Sequence, residues 1–340
     1  MKIAILKSFP SAMGREMHLD YVSAAIDLEI EYEIIDLLGD NWEEIISRSC
    51  ADVFVHRPPD KFQTAKNIHD ERIYFIEHIF RKNVSPSYIE TLSYENKRVM
   101  DALLKSYNLP KVRSIVATNT NMSQQFREKN VPFVCKSNIG SAGSGVSVFR
   151  KNNLWQSVLD WLVFGASKFP AIGWTRFGKF RGLIIPAWWY QQRNYRILQQ
   201  YSSLKWEWRV VVIGDTLSAH QKLLAKGKAS GSNLVGWVEP PNEVVTLALD
   251  FIKKSGFFAA AIDIFETEDG DLLINEIQSV YMSRVHYQMK FDGKSGIYRL
   301  GESGIIRFEE GSHHEFSGFK LRLAELRDRF DENGIACDDS

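Results

Sequence analysis

The apolar positions of the chain open as short uninterrupted runs with helical stretches between them. Residues 3–6 are continuously apolar, Met17, Tyr21, Ala24, Ala25 and Leu28 recur at helical spacing, and residues 32–37 and 52–55 are further β-prone runs on either side of a short helix at 42–46. This β-α-β-α-β opening predicts a small parallel sheet with ligand sites at the carboxyl ends of its strands. Two of those ends carry suggestive residues: 8–14 after the first strand, and His56-Arg57-Pro58-Pro59 after the third. Arg57 reads either as a grip on a substrate carboxylate or phosphate or as one half of a surface salt bridge.

A boundary is expected near Ser85-Pro86-Ser87. Residues 88–107 read as one helix stopped by Leu109-Pro110, 115–117 as a strand and 121–129 as a helix. Two β-prone runs, 131–135 and 146–149, then enclose Lys136-Ser137-Asn138-Ile139-Gly140-Ser141-Ala142-Gly143-Ser144-Gly145, the signal of a hairpin with an enlarged loop. Gly140, Gly143 and Gly145 let the backbone approach a ligand closely with its N–H groups turned toward anionic oxygens. Ser141 and Ser144 add donors, and Lys136 adds a point charge at the root. By itself such a loop is either a phosphate cradle or an ordinary flexible hairpin. No Walker-type loop competes, because Gln288 stands where the first glycine before Gly293-Lys294-Ser295 would be. A helix at 154–164 follows, with Leu154, Val158, Trp161 and Leu162 expected to face the hairpin sheet.

Residues 169–196 mix Trp174, Trp188, Trp189 and Tyr190 with Arg176, Lys179, Arg181, Arg193 and Arg196. That mixture suits either a stacking surface for single-stranded nucleic acid or an insertion whose aromatics pack and whose cations edge a site. Residues 195–201 are a strand with a polar exit, 206–215 a strand closed by a Gly-Asp turn, and 216–224 its return partner. A polar loop at 226–233 and an amphipathic helix at 242–255 lead to a second hairpin. There Asp263 interrupts one apolar strand (261–265) and Glu276 another (272–277). A carboxylate in a half-buried strand is costly unless a cation or donors compensate it. Glu276 and Gln278, two apart, share one sheet face, and an antiparallel partner brings Asp263 alongside. The set reads as an all-oxygen shell for Mg²⁺ or as salt bridges to Arg209 or Lys222.

Composition narrows the classes. Lys+Arg and Asp+Glu number 42 each in 340 residues, so no overall charge favours nucleic acid or an anionic membrane. Cys50, Cys135 and Cys337 are odd in number and far apart, which suits a reducing compartment and no disulfide frame or zinc site. With no signal-like or spanning stretch, a cytoplasmic protein without membrane insertion is expected. His313-His314 is expected at the surface, residues 283–311 either complete a substrate pocket or cap the sheet, and the helix at 319–330 docks on its own domain or on a second subunit, making a homodimer.

With Lys97, the Lys136 loop, Arg209 and the Asp263/Glu276/Gln278 hairpin in this order, residues 1–290 resemble the ATP-grasp superfamily. The nearest likeness is to carboxylate–amine ligases of the ribosomal-protein glutamate ligase type and to ATP-grasp proteins of bacterial surface-polysaccharide gene clusters. The latter look similar in Arg72-Ile73-Tyr74-Phe75-Ile76-Glu77, Tyr94-Glu95-Asn96-Lys97, the 209–215 run and Ala229-Ser230-Gly231-Ser232. The resemblance implies an α/β (α+β) ATP-grasp fold: an N-terminal α/β domain (1–87), a small subdomain with the glycine-rich loop (88–200), a large subdomain with the metal hairpin (201–316), the two sandwiching ATP, and a C-terminal helix and tail (317–340). It implies that Lys97 and Lys136 hold the α- and β-phosphates and that residues 140–145 close over the triphosphate. Leu198, Gln199, Gln200 and Tyr201 would read adenine, Glu207 would reach the ribose, and Lys222 belongs to the same ATP site. Arg209 would bind the transferred phosphate, Lys228 would clamp the acyl phosphate or substrate, and Asp263, Glu276 and Gln278 would carry Mg²⁺, or Mn²⁺ in its place. Lys222 and Lys228 stand where arginine is usual and Gln278 where asparagine is commoner, which bears on substrate geometry. The implied activity joins a small-molecule, sugar-acid or peptide carboxylate to an amine through an acyl phosphate. An ATP-grasp kinase or a non-catalytic nucleotide-binding protein are the alternatives.

Overall fold

In the computed structural model the described residues are 1–10, 14–60, 63–139, 145–165, 173–174, 185–186, 194–225, 234–281, 285–301 and 304–333. The chain divides into two compact units: Met1–Tyr94 together with Leu204–Ser340, and Glu95–Ser203.

The first unit begins with a four-stranded parallel sheet of β1 (Lys2–Lys7), β2 (Glu31–Asp36), β3 (Val53–His56) and β4 (Val84–Ser85), in the order β2-β1-β3-β4. Helices α1 (Leu19–Asp27) and α2 (Trp42–Arg48) supply the crossovers expected from the apolar spacing. A third helix, α3 (Gln63–Tyr74), buries Lys66, His69 and Asp70 beside Ala65 and Ile73, so its inward face carries little apolar signal. Helix α4 (Tyr88–Ser93) starts in a capping box between Ser87 and Glu90.

The second unit starts at helix α5 (Lys97–Ser106). The single helix expected over 88–107 is thus two, parted at Tyr94-Glu95-Asn96, where Glu95 has φ +50 and Asn96 caps the new helix through Val99 N–H. Strands β5 (Ser114–Ala117), β6 (Phe133–Lys136) and β7 (Val146–Phe149) flank helix α6 (Thr120–Lys129). The glycine-rich hairpin forms with Lys136 opposite Val146. Helix α7 (Leu154–Asp160) leads through a π-turn (Trp161–Gly165) to β8 (Gly173–Trp174), β9 (Ile185–Pro186) and β10 (Arg196–Gln200), which completes a sheet in the order β5-β10-β6-β7.

Helix α7 corrects the expected packing. Leu154, Val158 and Trp161 are exposed, and the buried face is Gln156, Leu159 and Asp160. The reason is electrostatic: Asp160 accepts from Arg127 (2.7 Å), Arg196 (2.5 Å) and Ser123 (2.7 Å), and this sealed cluster turns the helix polar side inward.

Returning to the first unit, β11 (Leu204–Ile213), β12 (Thr216–Lys222), β13 (Val235–Gly236), β14 (Ala259–Thr267), β15 (Leu272–Gln278), β16 (Lys290–Phe291), β17 (Lys294–Gly301) and β18 (Gly304–Glu310) form the large antiparallel sheet around β15-β14-β11-β12-β17. The 283–311 stretch therefore extends this sheet through β16–β18. Helix α8 (Asn242–Ser255) precedes β14 and ends in a left-handed Gly256. The closing helix α9 (Phe319–Asn333) docks within its own unit: Phe319, Leu323 and Leu326 enter the core of the parallel sheet, and Leu321 that of the large sheet beside Val211, Ala261 and Ile297. Arg322 ties the two by donating to Ser85 Oγ (3.2 Å) and the Ser279 carbonyl. No described helix is long and apolar enough to cross a membrane.

Candidate active site

Strand alternation assembles the site. Glu207 and Arg209 lie on the face of β11 that carries Val211 and Ile213 toward the core. Across β12, Glu207 stands opposite Lys222 and Arg209 opposite His220; across β14, Arg209 stands opposite Asp263. Asp263 in turn faces Glu276, and Ala261 faces Gln278. Glu207, Arg209, His220, Lys222, Asp263, Glu276 and Gln278 therefore form one polar patch at the end of an otherwise apolar sheet face.

The charges interlock. Arg209 donates to Asp263 through Nε (2.8 Å to Oδ1) and Nη2 (2.9 Å to Oδ2), a bidentate pair. Lys222 Nζ bridges Asp263 Oδ2 and Glu207 Oε1 at 2.5 Å each. Burial opposes the charge on Asp263, but Arg209 and Lys222 outweigh it and hold the carboxyl far below the usual range. Burial, reinforced by the charge of Asp263, pushes Glu207 up to about 7. Glu207 is buried and bridged to Lys222. His220 is held neutral chiefly by burial, down to about 4, with Nδ1 at 2.7 Å from the Gln288 carbonyl.

Asp263 is salt-bridged to both Arg209 and Lys222. Three of the carboxylate's lone-pair directions are taken by N–H donors, and Oδ1 keeps one. Glu276 and Gln278 lie side by side, with Gln278 Nε2 3.5 Å from Glu276 Oε1. Their oxygens with Oδ1 of Asp263 are hard donors that fit Mg²⁺ or Mn²⁺, although no group of three or more His, Cys, Asp or Glu residues poised for a metal occurs among the described residues. His220 joins the patch as a residue with no motif of its own. Its signal was the alternation of Ser218, His220 and Lys222 along β12.

In the second unit Lys136 ends β6 and Lys97 opens α5, and the two elements meet at Asn138, whose carbonyl accepts from Lys97 N–H (3.3 Å). Gly145 adopts φ +77, and a Cβ there would collide with Ser137 Oγ. Residues 140–144 and Lys228 lie outside the described residues. Leu198 and Gln199 are buried within β10 while Gln200 and Tyr201 reach the surface; Gln200 N–H is already bonded to the Arg113 carbonyl at 2.8 Å.

Two expectations are corrected. The salt bridge of Arg57 is interior and not at the surface: it pairs with Asp20 at 3.1 Å and lies over the Phe319 ring. His314 is buried, not at the surface, between Tyr281 Oη (2.7 Å) and Ser218 Oγ (3.1 Å). At the carboxyl ends of β1 and β3, Ser8 Oγ, His69 and His56 form a chain (2.8 and 2.9 Å) that ends 2.8 Å from the Pro86 carbonyl.

Comparison with solved structures identifies the architecture. The chain is similar to the D-cycloserine synthetase DcsG (14% identity, TM-score 0.57, covering 96% of this chain and 99% of that one). It is similar to N5-carboxyaminoimidazole synthetase from Staphylococcus aureus complexed with ADP (12%, TM-score 0.57, 98% and 86%). A third likeness is to the ATP-grasp ligase PsnB complexed with minimal precursor, Mg and ADP (14%, TM-score 0.51, 83% and 90%). No protein-family profile matches the chain, and no curated protein sequence matches it significantly. The fold is the ATP-grasp fold.

Proposed function

We propose that this protein is an ATP-dependent carboxylate–amine ligase that forms an amide through an acyl phosphate. The observation that carries the reading is the patch on the large sheet: two cations, Arg209 and Lys222, organised by Asp263 and Glu207 beside the oxygen donors Glu276 and Gln278, on the fold of proteins solved with ADP and Mg. Among the described residues of the patch there is no catalytic nucleophile, and phosphoryl transfer to a carboxylate needs none, since it rests on positioning and charge cancellation.

Each residue has a definable part. Arg209 spends Nε and one Nη2 proton on Asp263, which fixes the guanidinium plane and leaves its Nη1 protons for the oxygens of the transferred phosphoryl group. The third ammonium proton of Lys222 is available to the same anion. Glu276 and Gln278, with Oδ1 of Asp263, would hold the divalent cation. That cation, when bound, cancels charge on the nucleotide phosphates. Lys97 and Lys136 bind phosphates, and Lys228 contributes to the second substrate. The carboxylate is that of a small molecule, sugar acid or peptide.

The test is ADP release with Mg²⁺ and ATP across uronic acids, amino acids and short peptides, alone and paired with amines. ADP formation that requires both a carboxylate and an amine, with a new amide in the mass spectrum, is the expected result. A stable phosphorylated product would replace the ligase by a kinase, and ATP binding without turnover on any pair would oppose both.

A further inference from the structure

Asn138, at which the end of β6 meets the start of α5, has so far no ligand role. It is 2% exposed, two residues past Lys136, at the root of the glycine-rich loop. Its Oδ1 accepts from Arg98 N–H at 3.0 Å, and its carbonyl accepts from Lys97 N–H at 3.3 Å. These are the first two N–H groups of α5, a helix of 10 residues whose next N–H, that of Val99, is taken by Asn96. A backbone N–H can only donate, so the atom facing Arg98 must be the amide oxygen, and the orientation of the carboxamide is fixed. Its Nδ2 is buried and has no hydrogen-bond partner.

An amide donor buried without an acceptor is costly, and native proteins leave few of them. This one sits at the positive end of a helix, in a segment that also carries Lys97 and Lys136. The Glu95 carboxylate lies 4.0 Å from Lys97. What Asn138 Nδ2 itself lacks is an acceptor. The loop root is otherwise stiff, since Ser137 N–H donates to the Gly145 carbonyl and Ser137 Oγ to the Ile139 carbonyl, each at 2.8 Å.

We propose that Asn138 is a phosphate ligand of the nucleotide site: its Nδ2 donates to a phosphate oxygen, while its Oδ1 and carbonyl fasten the start of α5, and with it Lys97, to the root of the loop that carries Lys136. One residue thus sets the spacing of two phosphate-binding lysines and adds a neutral donor between them. The inference rests on the nucleotide-binding part of the reading above.

The experiment measures the affinities of the full-length protein for ATP, ADP and adenosine, by displacement of a fluorescent ATP analogue, together with the thermal midpoint. Asn138→Asp keeps an oxygen for Arg98 N–H and loses the donor. It is expected to bind ATP and ADP about tenfold or more weakly, with adenosine affinity and thermal midpoint near those of the parent. Asn138→Ala loses both groups and is expected to weaken ATP further and to lower the midpoint. ATP affinity within about twofold of the parent in either variant, or an equal loss for adenosine, would overturn the phosphate contact. A parent protein that binds the ATP analogue not at all would instead remove the nucleotide reading itself.

Discussion

Two buried aspartates, each held by two cations, sit in different units of the molecule. Asp160 is fully enclosed with Arg127 and Arg196, whose side chains are 2% and 5% exposed. Asp263 is equally buried, but its partners Arg209 and Lys222 are 20% and 16% exposed. The motif is the same and the accessibility of the cations is not. At Asp160 both carboxylate oxygens are taken up by Arg127, Arg196 and Ser123, and Gln156 takes a further Arg196 proton at 2.9 Å. At Asp263 three of the four lone-pair directions are taken, and the two cations that take them remain partly exposed. Burial of the anion alone does not distinguish a structural cluster from a functional one; the reach of its counter-charges does.

The comparison is broken most directly by removing each anion. Asp160→Asn leaves two enclosed guanidinium groups without a carboxylate and should cost about 3–5 kcal/mol in urea unfolding. Asp263→Asn should cost about 1–2 kcal/mol, because water reaches Arg209 and Lys222, yet reduce ATP turnover by about 100-fold or more. Equal destabilisation, or full turnover in Asp263→Asn, would erase the distinction. Next in size, Leu159→Ala on the inward face of α7 should lose about 2–5 kcal/mol, against about 0.5 or less for the 87% exposed Leu154; the reverse order would restore the packing expected from apolar spacing.

The third effect is a pH dependence shared by both sheets of the first unit. Burial lowers His56 to about 3 and His314 to about 3, and lowers His69 well below its ordinary value of 6.5. Folded values below the unfolded one mean that their contribution to stability is complete above pH 6.5 and is lost as pH falls toward 3. Asp70, raised to about 6 by burial against the pull of Lys66, acts in the opposite sense: it is a cost above pH 6 that is relieved on the way down to 3.8. His220, lowered to about 4, adds a fourth histidine, and Glu207, raised to about 7, joins Asp70 on the other side. With four histidines against two carboxyls, the urea midpoint should be lower at pH 5 than at pH 7.5, and an unchanged midpoint would contradict the burial of the histidines as neutral groups. Smallest of all, Lys294→Ala should leave the thermal midpoint unmoved, since its bridge to Glu310 is exposed on both sides.

The sequence disclosed elements whose inward faces are apolar and concealed those whose inward faces are not. The opening β-α-β units, both hairpins and the pairing of Asp263 with Glu276 follow from apolar runs, turn residues and strand alternation. Helix α3 escaped because Lys66, His69 and Asp70 occupy its buried side, and α7 was turned the wrong way because Gln156 and Asp160 outrank Leu154 and Trp161 once Arg127 and Arg196 are near. The break at Glu95 is set by the capping residue Asn96 and by Asn138, far along the chain, which no local spacing reveals. At the site, the residue types were legible while their mutual commitments were not. That Asp263 answers to Arg209 and Lys222, and Glu207 to Lys222, depends on the register of three strands.

The hydrogen-bonded chain from Ser8 to Pro86 carries a direction. A carbonyl only accepts, so neutral His56 must keep its proton on Nε2 and offer a bare Nδ1 to His69. His69 must then keep its own proton on Nε2, which leaves its Nδ1 bare toward Ser8. The hydroxyl hydrogen of Ser8 is thereby pointed inward, and the oxygen shows only lone pairs to anything outside. A polarity set by the one peptide carbonyl of Pro86 is handed through two imidazoles to the end of β1, so that toward any outside partner a serine able in principle to give or take a hydrogen bond is restricted to taking one.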